Sequence, residues 1–132
     1  MMFVDASAIT AILAGESDAA DLLGRLHNAR VRITSPLAVW ESTLAVRRIL
    51  DLETPAAHEA VEEFLRLAGI EITAVPAEAH RQAVEAYDRY GKSRHPAALN
   101  FGDCFAYACA RAAGVPLLFK GDDFPQTDIE AA

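Results

Sequence analysis

Positive charge is in short supply in this chain: 12 Lys and Arg stand against 19 Asp and Glu, a formal net charge of −7. A protein that grips nucleic acid through a basic surface has the opposite balance. That class is excluded unless a bound cation reverses the sign locally. Cysteine is scarce too. Cys104 and Cys109 are the only two, and both fall in one helical pattern. At that spacing a helix rises about 7.5 Å and turns the side chains roughly 140° apart, so they cannot bridge each other without breaking it. They read as small buried apolar residues of a reduced, cytoplasmic protein. No apolar run approaches the ~20 residues that a membrane helix needs. The opening Met1-Met2-Phe3-Val4-Asp5-Ala6-Ser7 has no basic region followed by a long apolar stretch, so no signal peptide is expected. Repeats, low-complexity segments and linkers are missing as well, and 132 residues read as one domain, 1–132.

What is present is a hydrophobic content of 52%, enough for a real core, in short β-like runs that alternate with helical ones. Met2-Phe3-Val4 reads as a strand ending at Asp5, and Ala6 to Ala14 as a helix stopped by Gly15. Asp18 can cap a helix to about His27, and Val31 to Thr34 is a strand. Ser35-Pro36 is a helix start, capping serine then proline at the first helical position, and that helix runs to about Leu50. Thr54-Pro55 repeats the signal and Gly69 ends the next helix. Ile70 to Val75 alternates like a strand, Pro76 opens a helix that Gly91 ends, and Lys92 to Ala98 is a loop. Asn100 to Ala113 is helical with Gly114 as terminator, Val115 to Phe119 is an apolar strand, and Lys120 to Phe124 is a loop. The pattern predicts an α/β fold, helices around a mostly parallel sheet. Ligands bind such sheets beyond the carboxyl ends of the strands. Asp5 and the pair Asp122-Asp123 both follow predicted strands.

Each acid has an ordinary reading beside a functional one. Asp5 is a good helix cap, as is Ser7; at the sheet's carboxyl edge it is also placed to ligate a metal. Glu41 shares a helical face with Leu37, Trp40, Leu44 and Arg48. On such an apolar stripe it either reaches solvent at the boundary or needs a cation close by. Asp103 follows Asn100 by three residues, a capping spacing, and borders a face made of Phe101, Cys104, Phe105 and Ala108. Asp122 and Asp123 are loop acids beside Gly121, which permits a sharp turn, and Phe124, which reads as the loop's anchor. Together these carboxylates suit Mg²⁺ or Mn²⁺, hard cations that prefer oxygen and can activate water and neutralise charge on a phosphate.

The blocks Phe3-Val4-Asp5-Ala6-Ser7-Ala8, Ser35-Pro36-Leu37-Ala38-Val39-Trp40-Glu41, Leu99-Asn100-Phe101-Gly102-Asp103-Cys104-Phe105-Ala106-Tyr107-Ala108, Leu117-Leu118-Phe119-Lys120-Gly121-Asp122-Asp123-Phe124 and Thr127-Asp128-Ile129 resemble the VapC toxins of bacterial VapBC toxin–antitoxin systems. These are PIN domains, and the resemblance covers nearly the whole chain. It implies a PIN-like α/β/α sandwich and metal-dependent hydrolysis of RNA phosphodiesters. Asp5, Glu41 and Asp103 fall on the family's three principal acids. For the fourth, Phe119-Lys120-Gly121 departs from the common pattern; Asp122 is assigned and Asp123 is the runner-up. The resemblance further implies a VapB-type antitoxin that directs an Arg at the carboxylates, and a homodimer.

RNA contacts are expected from the basic loop Lys92, Arg94 and His95, with Arg47 and Arg48 as helpers; a solvated loop is the plainer reading. Nothing pairs His95 with a nucleophile. A haloacid-dehalogenase phosphatase wants an acid where Ser7 stands, and a receiver domain wants paired acids where only Asp5 is found. The remaining alternative is a non-catalytic module whose acidic pocket accepts an Arg from a partner.

Overall fold

A computed structural model describes all residues, Met1–Ala132. Four short parallel strands form one sheet, ordered β3-β2-β1-β4. They are β1 (Met2–Val4), β2 (Arg32–Thr34), β3 (Ile70–Ile72) and β4 (Leu117–Leu118). The first strand is therefore central. Phe3 aligns with Ile33 on one side and Leu117 on the other. Strand pleating sends neighbouring side chains to opposite faces, and two cores result. Phe3, Ile33 and Leu117 join the core under α5 (Ala79–Tyr90) and α6 (Phe101–Ala113). Met2, Val4, Ile70 and Leu118 join the core under α1 (Ala6–Leu13), α2 (Ala19–His27), α3 (Pro36–Leu50) and α4 (Thr54–Ala68). This is an α/β/α sandwich, as the alternation predicts.

Local chemistry sets the helix ends. Ser35 caps α3 by accepting from Ala38 N at 3.1 Å. Gly69 and Gly114 end α4 and α6 at φ of +64° and +68°, the left-handed region that favours glycine.

Four expectations need correction. Pro76 does not open α5; its carbonyl closes a turn with Ala79 N at 3.0 Å, and the helix begins at Ala79. The strands expected over 70–75 and 115–119 shrink to Ile70–Ile72 and Leu117–Leu118; beyond them single bonds remain, Thr73 N to Thr34 O and Phe3 N to Pro116 O, both at 2.9 Å, without a continuing ladder. The stripe through Leu37, Trp40 and Leu44 is not the core face of α3: Trp40 is 64% exposed, and the helix buries Ala38, Val39, Ser42, Thr43 and Val46. Ser42 and Thr43 tolerate burial by donating to the carbonyls of Ala38 and Val39. Likewise Phe101 is 70% exposed, its ring centroid 5.1 Å from that of Phe105, while α6 buries Cys104 and the run Ala106 to Ala110. Cys104 and Cys109 are buried and unpaired, as expected.

The last residues extend the sheet. Leu117 N donates to Glu130 O and Ala132 N donates to Leu117 O, both at 2.9 Å. Arg25 holds the Ala132 carbonyl through Nε at 2.9 Å. No helix is long and apolar enough to cross a membrane.

Candidate active site

Strand β1 ends where α1 begins, and Asp5 occupies the junction. Its backbone N donates to Leu118 O at 2.9 Å, and its Oδ2 accepts from Ser7 N at 3.0 Å and from Ser7 Oγ at 2.5 Å. The side chain does cap α1, yet the residue is only 5% exposed. Ser7 Oγ in turn accepts from Lys120 N at 3.0 Å, which ties the chain after β4 to the carboxyl end of β1.

Asp103 also fills both of its roles. It completes a capping box on α6: its N donates to Asn100 Oδ1 at 2.9 Å, and its Oδ2 accepts from Asn100 N at 3.0 Å. The box fixes the side chain at the helix's first turn, where its other oxygen is not used by the cap.

Glu41 reaches the same place from α3. The reason lies partly in Gly102. A Cβ at Gly102 would stand 2.2 Å from both carboxylate oxygens of Glu41, an impossible contact, so only glycine lets the glutamate approach the start of α6. The apolar stripe that drew attention to Glu41 in the sequence proves to be surface, but Glu41 is half-buried nonetheless.

Asp5, Glu41 and Asp103 thus line one cleft of about 310 Å³, together with Ser7, Thr10, Glu16 and Lys120. Sequence reasoning passed over Glu16, Thr10 and Lys120. Only Lys120 stood inside a noted motif; nothing local marks the other two.

The electrostatics are those of acids with too few cations. Burial pushes Asp5 up, against the pull of its bonds to Ser7 and Ala6. Glu41 is pushed up to about 7, by burial first and then by the charges of Asp5 and Asp103. Asp103 is pushed up to about 6, by burial first, against the Asn100 N–H, and further by Asp5 and Asp123. A cation entering the cleft would relieve every one of these shifts.

The donor set suits a hard divalent ion, being oxygen only. As they stand, no three His, Cys, Asp or Glu side chains converge closely enough to enclose an ion by themselves. Mg²⁺ keeps several waters and needs only one or two carboxylates, so a hydrated ion would not require three to meet.

The other predicted residues lie elsewhere. Asp122 and Asp123 are both exposed and do not line the cleft. Asp123 is the one whose charge reaches Asp103, while the Asp122 carbonyl accepts from Gln126 Nε2 at 3.1 Å. Phe124 anchors their loop against Phe119, with ring centroids 5.3 Å apart. Of the basic loop, Arg94 pairs with Asp88 at 2.8 Å, His95 Nδ1 accepts from Ala97 N at 3.0 Å, and Lys92 is exposed; none lines the cleft. Arg47 donates to Thr54 Oγ1 at 3.1 Å, and Arg48 is exposed.

This architecture and cleft have counterparts. Residues 2–130 match the PIN domain family. Ribonuclease VapC of Mycolicibacterium smegmatis is 41% identical over 98% of this chain and 98% of its own length. Ribonuclease VapC42 of Mycobacterium tuberculosis is 43% identical over 99% of this chain and 98% of its own. The crystal structure of Mycobacterium tuberculosis VapC20, described as a Sarcin-Ricin loop cleaving toxin, superposes with a TM-score of 0.75 at 20% identity, over 100% of this chain and 98% of that one. With the family model spanning the sandwich from β1 past β4, and with full-length relatives near 40% identity, the chain belongs to the PIN-domain family and, within it, to the VapC ribonuclease toxins of VapBC toxin–antitoxin systems.

Proposed function

We propose that this chain is a Mg²⁺- or Mn²⁺-dependent endoribonuclease whose working cleft is the one lined by Asp5, Glu41 and Asp103. The observation that carries the reading is the convergence of these acids from three separate elements into one cleft in which all three are raised. Holding carboxylates so costs the fold stability, and a bound cation recovers it. When bound, the ion supplies water activation and neutralises charge developing on the phosphate.

The chain's own residues divide the remaining work. Asp5 and Asp103 would hold the ion, each with one carboxylate oxygen already bonded, to Ser7 and to Asn100 N respectively. Ser7 fixes the rotamer of Asp5, and the capping box fixes that of Asp103. Glu41, raised to about 7, accepts a proton from the attacking water or holds that water through a hydrogen bond. Asp123, rather than Asp122, serves as the fourth acid, because its charge is the one that acts on Asp103.

The partners follow from the family. RNA is the substrate, and a VapB-type antitoxin neutralises the cleft by directing an Arg at its carboxylates; a guanidinium fork suits paired carboxylates better than an ammonium does. The protein acts in the cytoplasm, as the family does. Exposed Trp40 and Leu44 in a groove of about 630 Å³, and exposed Val84, Tyr87 and Phe101 beside α5 and α6, support association with a second copy and with the antitoxin.

The test is cleavage of single-stranded RNA by the purified chain. Cutting with Mn²⁺ or Mg²⁺ that stops in EDTA is expected. A well-folded protein that binds an Arg-bearing antitoxin segment but cuts no RNA with either metal would establish the non-catalytic module instead.

A further inference from the structure

One positively charged side chain lines the acidic cleft. Lys120 follows β4, and its backbone N is held by Ser7 Oγ at 3.0 Å. Its Cα is thereby fixed beside Asp5 wherever its side chain goes. The ammonium pairs with Glu16, which lines the same cleft, and stands 3.8 Å from Asp18 Oδ1. That Asp18 oxygen is buried and accepts no hydrogen bond. Glu16 and Asp18 therefore draw Lys120 to one side of the cleft without fully using its three donors.

A phosphodiester entering here meets the carboxylates of Asp5, Glu16, Glu41 and Asp103. One divalent ion offsets two of those charges and leaves the strand facing the rest. The sequence offers few cations to help, and Arg94 is already committed to Asp88 outside the cleft. Lysine suits the role, being a compact charge on a flexible stem, able to reach a phosphate as a point charge. Its side chain is 38% exposed, and an ion pair so open to water is weak and readily exchanged.

We propose that Lys120 is the cleft's phosphate-binding residue, resting on Glu16 in the free protein and transferring to a phosphate oxygen of the RNA strand when substrate enters. This rests on the nuclease reading above. Glu16 then competes with substrate for the same ammonium, which gives the two residues opposite effects on binding.

The experiment measures kcat and KM on a short single-stranded RNA, with Mn²⁺, over a range of salt concentrations. Lys120→Met is expected to raise KM roughly tenfold with a much smaller change in kcat. The slope of log(1/KM) against log salt should fall by about 0.7, one phosphate contact on a single strand. Lys120→Arg should restore most of the loss. Glu16→Gln should lower KM in the parent chain and have little effect beside Lys120→Met, since the glutamate acts through the lysine. Thermal melts check that each variant folds. An unchanged salt slope in Lys120→Met, or a Glu16→Gln effect of equal size in both backgrounds, overturns the proposal. A parent chain that cuts no RNA with either metal overturns the nuclease reading as well.

Discussion

Asp128 and the cleft acids sit in the same small domain and have opposite surroundings. Asp128 accepts from Tyr107 Oη at 2.6 Å, with Arg111 Nη1 at 3.4 Å and Arg89 Nη1 at 3.5 Å. The tyrosine hydroxyl first, then the two guanidinium groups, hold its carboxyl below the usual range. Asp128 thereby pins the C-terminal segment to α5 and α6. Asp5, Glu41 and Asp103 have no Arg beside them and are all pushed up. In a sequence these are four aspartates and glutamates in recognisable blocks. Asp5 and Asp103 receive only neutral N–H and O–H donors, whereas Asp128 also has two guanidinium charges, and that difference separates the raised acids from the lowered one.

The largest test of that contrast is to neutralise both kinds. Asp5→Asn and Asp103→Asn should each lower RNA cleavage by roughly a thousandfold or more, with circular dichroism and melting unchanged or improved. Asp128→Asn should keep the parent kcat per folded molecule while costing about 1 kcal/mol of stability. Wild-type activity in either cleft variant would make that acid a helix cap and no more.

Next comes the glycine behind Glu41. Gly102→Ala places a methyl group where the glutamate's carboxylate lies. Activity should fall by about 10- to 100-fold with little loss of melting temperature, because Glu41 can swing away into solvent. Full activity would mean that Glu41 works from some other position.

A pH series separates the two regions without mutation. Glu41 has a folded value of about 7 against an ordinary 4.5. A raised carboxyl adds stability that is fully present below the ordinary value and is lost as pH rises through the folded one. In EDTA, the melting temperature should therefore decline between about pH 4.5 and 7, by roughly 3–6 °C. Glu41→Gln should flatten the decline, and saturating Mg²⁺ should remove it. Asp128, held low, has the opposite sign: its contribution is present above the ordinary aspartate value and fades as pH drops below it. A flat profile in EDTA for the parent chain would mean that burial and the neighbouring acids do not raise Glu41.

The smallest effect is expected in the loop after β4. Asp123→Ala should reduce cleavage several-fold and Asp122→Ala less, since only Asp123 is felt at Asp103. The reverse order would return the assignment to Asp122.

Much of the fold was legible because punctuation is local. Ser35-Pro36, Gly69 and Gly114 each act within a turn of themselves, and the helix ends fall where they indicate. Strand lengths were not, since whether Thr73 or Val115 joins a ladder depends on a neighbour far along the chain. The face of α3 was misread for a different reason. Trp40 and Leu44 are the larger apolar residues, but the small Ala38, Ser42 and Thr43 are what a helix packed closely on its neighbours can bury. Asp5, Glu41 and Asp103 could be found from their motifs. Lys120 and Glu16 could not be paired in advance: 104 residues separate them.

The central position of β1 has a consequence in time. The first strand made is the one that β4 must join, and the bond from Lys120 N to Ser7 Oγ spans 113 residues. Closing so long a loop comes late, since the chain loses that entropy before any contact compensates it. A nascent chain still short of β4 holds Asp5 and Glu41 but neither Lys120 nor the strand that receives the Asp5 amide. On the nuclease reading proposed above, the cleft is thus completed only once β4 has been made, and a chain ended before that point would carry most of the acids without the strand and the lysine that complete their surroundings.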